Sequence, residues 1–245
     1  MRYRKLDGLR GITLISMIFY HALWDVNYIF GPAMGWYQGR PGFLWQQSIC
    51  WSFILLSGFS ASLTFPEDGA RTGKSLIRAL QVLGAGALVS AVTLIFMPEE
   101  RILFGVLTLI GSCKMASYLL GSALPKIPSG AGAGANFALF VMFTLIARQY
   151  TAVPAAGPGA YVLTFFGFPF EGFFSTDYFP FFPWFFLYLT GFYLHRLIRK
   201  SRAMDGLKKG WCPPLEAAGR HTLILYLLHQ PVIYGLLWLT MGRGA

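Results

Sequence analysis

Charge is scarce in this chain: only 12% of its 245 residues are Asp, Glu, Lys or Arg, about half of what a soluble domain carries. Acidic residues are rarer still, 10 against 20 Lys and Arg. Cysteine is nearly missing. Cys50, Cys113 and Cys212 lie far apart and form no CxxC pair, which argues against a disulfide framework or a cysteine zinc site; two read as small apolar residues and one as a loop thiol. No GxxxxGK(S/T), no GxGxxG after a strand and no HExxH occurs, so soluble nucleotide and zinc-protease chemistries find no support. No internal repeat is evident either, and the inverted-repeat plan of many secondary transporters is unsupported. The first apolar run is too long for a cleavable signal, and no small-residue cleavage site follows it.

What the chain has instead is apolar and aromatic. Hydrophobic residues make up 55%, with 23 Phe, 12 Tyr and 7 Trp. A soluble domain of this size would struggle to hide so much apolar surface, so the composition points to one compact integral membrane domain. Runs of roughly 20 mainly apolar residues suggest seven spans, at about 9–30, 43–65, 76–97, 102–123, 133–152, 179–198 and 221–242. Before the sixth lies AVPAAGPGAYVLTFFGFPFEGFFSTDYFP, too broken by Gly and Pro for a clean span. It reads as an interfacial or re-entrant cap with aromatic rings at headgroup level.

Basic residues set the orientation. With the N-terminus cytoplasmic, the inner side collects those of 2–10, 71–78, 196–209, Lys126 and Arg220, while the outer side keeps Arg40, Arg101, Arg148 and Arg243. This positive-inside bias accounts for the net charge of +10 without nucleic acid. The 196–209 run is a solvated loop that also suits anionic lipid.

The first apolar run, LRGITLISMIFYHALWD, carries charge where a membrane helix rarely does. Residues 3, 4, 7 or 11 apart share a helix face, which places Asp7, Arg10, His21 and Asp25 on one stripe. A rise of about 1.5 Å per residue puts His21 roughly 16 Å beyond Arg10, near the bilayer midplane. Arg10 suits either snorkelling to the headgroups with Asp7 as partner, or a ligand anion. A carboxylate beside an imidazole fixes its tautomer and raises its basicity, so His21 with Asp25 suits a general base, although a structural histidine fits the same pattern. In the last span, GRHTLILYLLHQPVIYG, His229 lies roughly 12 Å deeper than His221 and approaches the level of His21. It suits a donor to a substrate carbonyl or an interhelical bond. Pro231 beside it frees a backbone carbonyl.

Lys114, inside the fourth span, suits a phosphate contact or snorkelling. Ser57 and Gly58 form a small-residue patch suited to close helix packing. Asp177 and Tyr178 precede the sixth span; there they fit either a sugar or amine acceptor or an ordinary interfacial belt.

RYRKLDGLRG followed by His21, with ten residues between Arg10 and His21, resembles the acyltransferase family 3 proteins. HALWDVNY, FILLSGFSASL, GVLTLIG, DYFPFFPW and GRHTLILYLLHQPVIYGLL are similar, in order and over nearly the whole chain, to bacterial members of the heparan-alpha-glucosaminide N-acetyltransferase catalytic-domain family. The resemblance implies transfer of an acyl group, usually acetyl, from cytoplasmic acyl-CoA to an acceptor reached from the other side. It puts His21 in the catalytic position and Arg10 in the cationic position near CoA. Two departures stand out. The loop YIFGPAMGWYQGRPGF has no His where the lysosomal relatives carry a catalytic one, and Thr108 stands where many bacterial members have His.

The sequence is therefore read as an all-α polytopic membrane bundle of about seven spans, one acyltransferase domain over 1–245, in the cell (inner) membrane. The expected donor is acetyl-CoA or another acyl-CoA, with no metal and no nucleic-acid partner. His21, Asp25 and His229 are the catalytic candidates, with His229 or a neighbouring donor stabilising the oxyanion. Arg10, Lys114 and Arg220 are the candidates for CoA, and Asp177 and Tyr178 for the acceptor. A proton-coupled transporter or flippase using His21 and Asp25 is the alternative. The acceptor (a sugar, a lipid-linked glycan or an amine) and a homodimer stay open.

Overall fold

The computed structural model describes residues 2–147, 152–154 and 157–242; Arg148 and Arg243, and the end of the fifth expected span, lie outside them. The described chain is helical, 78% by residue, with no strand; Val153 and Phe170 form an isolated bridge. Long helices stand where the apolar runs were expected. Four are long and apolar enough to cross a membrane: α4 (Gly73–Phe96), α5 (Val106–Leu120) with its 3₁₀ extension to Lys126, α6 (Ser129–Ala147) and α11 (Thr222–Met241). The other three, α1 (Arg4–Asp25), α3 (Arg40–Leu63) and α8 (Phe181–Ile198), have 22, 24 and 18 residues but are not in that set. In α1 the charged residues lower the hydropathy; in α8, His195 and Arg196 lower it most, with Tyr, Trp and Pro adding to the effect.

The chain divides into two compact units, 1–53 with 200–245, and 54–199. In the first, α1 passes into a π-helical turn (Val26–Phe30), then α2 (Gly35–Gln38) and the start of α3. The chain returns as α9 (Arg202–Lys208), α10 (Pro213–Arg220) and α11. The short α10 lies directly on α1 because glycines remove the side chains between them. A Cβ on Gly11 would fall 2.0 Å from the Leu215 carbonyl oxygen, and one on Gly219 would fall 1.7 Å from that of Asp7. The first turn of α1 is tied down by charge. Arg4 meets Glu216 at 2.7 Å, and Asp7 accepts from Arg2 at 2.7 Å and Arg10 at 3.1 Å. The Arg4 hydrogen bond holds the buried Glu216 carboxyl below the usual range, against the burial that would raise it. Leu14, Met17 and Ile49 form the apolar centre, with Trp45, Tyr226 and Ala218 packed on it. Trp45 Nε1 donates to Ser16 Oγ at 2.8 Å, consistent with the rule that a buried indole finds a partner.

In the second unit, α8 packs along α6, and α4 along α5. Gly58 and Gly191 bring α3 and α8 into contact: a Cβ on either would sit 1.9 or 2.2 Å from the Tyr188 or Leu55 carbonyl oxygen. Gly58 of the small-residue patch thus serves close packing. The aromatic segment before α8 contains one short helix, α7 (Pro158–Phe166), ended by Gly167 at φ +117°, a left-handed cap that glycine takes without strain. At nine residues it spans only about 13–14 Å. Beyond it, the chain is stitched to the α4–α5 connection. Ser175 Oγ bonds both the N–H and the C=O of Leu103 at 2.9 Å, and Phe179 N–H donates to Phe104 O at 2.9 Å.

Candidate active site

The first unit brings two of the expected catalytic side chains together. His21 on α1 and His229 on α11 have ring centroids 4.9 Å apart, inclined at 61°. His229 Nδ1 bonds the Tyr226 carbonyl oxygen, three residues back on its own helix. A carbonyl only accepts, so Nδ1 carries the proton, and in the neutral ring Nε2 is the lone pair. That Nε2 is buried and has no hydrogen-bond partner among the described residues. A neutral ring held in this tautomer presents an acceptor at Nε2, the form a base needs, whereas a protonated ring would present a donor there.

Asp25 differs from expectation in its partner. It is fully buried, and no hydrogen bond joins it to His21 among the described residues. Its Oδ1 instead accepts from Gln230 Nε2 of α11 at 2.8 Å. The spacing of four residues aligns His21 and Asp25 along one face, but a one-turn separation leaves the carboxylate free to turn toward the facing helix. Gln230 is the residue that sequence reasoning missed. It is visible in YLLHQPVIYG, but nothing local shows that its partner lies 205 positions earlier. Asn27, also buried, is engaged elsewhere, its Oδ1 accepting from the Met34 N–H.

Arg10 is half-buried and bonded to Asp7, while Arg220 is exposed at the end of α10. Lys114 is half-buried on α5 in the second unit. Asp177 and Tyr178, in the same unit, are both committed to backbone. Asp177 Oδ2 accepts from Val106 N–H at 3.2 Å at the start of α5, and Tyr178 OH donates to Thr164 O at 2.6 Å. These contacts give both residues a structural task. The second unit also holds a pair with no local signature, Ser62 and His195, buried and 2.8 Å apart through Oγ and Nδ1.

Desolvation raises the Asp177 carboxyl from 3.8 to about 6, against the opposing Val106 hydrogen bond. A raised acid pKa in the folded state means that ionising Asp177 costs stability. Its stabilising contribution is full below pH 3.8 and is lost as pH rises through about 6. Thermal unfolding in detergent is expected to show that loss between these pH values, and Asp177→Asn to flatten it while keeping the cap oxygen. An equal slope in both proteins would refute the assignment.

The comparison with known families decides the class. The model for the catalytic region of heparan-alpha-glucosaminide N-acetyltransferase matches residues 2–231. The chain belongs to that family. The match runs through both compact units and ends at Pro231, the residue after Gln230. Membership implies acetyltransferase activity, in a family whose general donor is acetyl-CoA, and the apolar helices fit a multi-pass membrane protein. No curated protein and no solved structure matches the chain. Among the described residues of this acetyltransferase-family chain, no group of three or more His, Cys, Asp or Glu side chains is placed to hold a metal ion.

Proposed function

We propose that this protein moves an acyl group, acetyl in the first instance, from cytoplasmic acyl-CoA to a hydroxyl or amine of a sugar-like or lipid-linked acceptor in the cell (inner) membrane. In this reading all seven long helices span the bilayer, the N-terminus is cytoplasmic and 1–245 acts as one acyltransferase domain. The observation that carries the reading is the His21–His229 pair on facing helices, with one ring fixed by a backbone carbonyl in the tautomer that leaves a buried lone pair.

His21 is the general base, and His229 is a second proton acceptor beside it. The acceptor's O–H or N–H bond breaks as its O or N attacks the thioester carbonyl, and the proton passes to an imidazole. The tetrahedral oxyanion collapses, the C–S bond breaks, and the CoA thiolate takes the proton back. Arg10 gives the CoA phosphates a cation, for which Asp7 now stands as the anionic partner; Lys114 and Arg220 are further phosphate candidates.

Calorimetry of acetyl-CoA with the purified protein in nanodiscs tests the donor. Wild type is expected to bind and Arg10→Ala to bind about tenfold more weakly, the worth of one charged hydrogen bond. Equal affinity would remove Arg10 from the site. Absence of binding by folded wild type, together with uptake driven by a pH gradient, would replace the enzyme with a proton-coupled transporter.

A further inference from the structure

The surroundings of Asp25 lead one step beyond this function and rest on it. The carboxyl group is fully buried, so hydrogen bonds must stand in for water. Gln230 supplies one, Nε2 to Oδ1 at 2.8 Å. That bond also fixes the amide: only its NH₂ end donates to a carboxylate, which leaves Oε1 as the other end. Asp25 Oδ2, Gln230 Oε1 and Nε2 of His229, the residue before Gln230, are buried without partners among the described residues. All three are acceptors. Buried acceptors left unsatisfied destabilise a fold, and a group that brings protons satisfies them.

We propose that Gln230 is a positioning residue acting through Asp25. Its amide N–H aims the carboxylate so that Asp25 Oδ2 and Gln230 Oε1 together accept hydrogen bonds from N–H and O–H groups of the acceptor other than the one whose proton is transferred, holding its nucleophilic group toward the two histidines. The pair binds and orients; the proton that is transferred goes to an imidazole.

The test uses full-length protein in nanodiscs with acetyl-CoA as donor and two probe acceptors, glucosamine and glycerol. Wild type is compared with Gln230→Leu, Gln230→Glu, Asp25→Asn and the double variant Asp25→Asn/Gln230→Leu, each checked for helical content. Gln230→Leu is expected to raise the acceptor KM about tenfold and leave the acetyl-CoA KM unchanged, with partial recovery in Gln230→Glu. In the Asp25→Asn background the same change is expected to add less than about twofold, since coupled residues are not additive. Losses that multiply in the double variant, or a rise confined to the acetyl-CoA KM, would overturn the proposal. If wild type acetylates neither probe, the failure belongs to the acyltransferase reading. The infrared carboxylate band of Asp25, obtained as the difference from Asp25→Asn, then decides separately. A band shifted by Gln230→Leu upholds positioning, and an unmoved band refutes it.

Discussion

Replacing His21 by Ala is expected to slow acetyl transfer about 10²–10⁴-fold, the usual contribution of a general base, while the protein stays folded and still binds acetyl-CoA. The structure supports both halves of this outcome. The His21 ring lies 4.9 Å from that of His229 and has no hydrogen bond among the described residues. Removing it therefore strips no donor or acceptor from the helix interface. What is lost is an imidazole within reach of a second imidazole. Steady-state rates with acetyl-CoA as donor, alongside calorimetry on the same preparation, separate the two quantities. A full rate in His21→Ala would transfer the base role to His229, and matching losses of rate and donor affinity would mark His21 as a binding residue instead.

The second large effect is expected on stability. Gly219→Val places a branched side chain where even a Cβ would lie 1.7 Å from the Asp7 carbonyl oxygen and 3.0 Å from Gly11 N. Both neighbours are backbone of α1, so relief requires α10 to lift away. Overpacking of this kind costs typically about 1–3 kcal/mol, occasionally more, and here it also separates Arg4 from Glu216, now 2.7 Å apart. The expected result is a lower thermal midpoint together with faster proteolysis between α9 and α11. Gly206→Val, on α9 with open space around the glycine, is the control and is expected to unfold near the wild-type temperature. A Gly219→Val protein as stable as this control would show that the α1–α10 contact is not tight.

The helices were legible in the sequence because apolar run length is a local property. Every expected span has a long helix in place, with ends displaced by a few residues. The stripe on α1 was legible for the same reason, since helical spacing places His21 and Asp25 without knowledge of any partner. What the sequence concealed was pairing at a distance. Asp25 looked like a partner for His21 because they are one turn apart, but its bond is to Gln230. Asp177 suited an outer mouth or an interfacial belt because acidic and aromatic residues surround it. The helix that it caps begins 71 positions earlier, and no local pattern carries that information. Ser62 and His195 stay unremarkable until 133 residues of chain are folded between them. Composition stops short in one further way: aromatic and Gly/Pro content marks where a span is broken, but not that the break folds into a nine-residue helix and a stitched loop.

The polar load on α1 has a consequence for how the chain is made. The group that pairs with Asp25 is made long after this helix leaves the ribosome. Asp25 waits for Gln230 across 205 residues. At about 5–20 residues per second of synthesis, the delay is about 10–40 s. An Asp or Arg at the centre of an inserting helix opposes entry into the bilayer by about 2.5–3.5 kcal/mol. Throughout that interval α1 is poorly matched to lipid, and it settles only when α10 and α11 arrive.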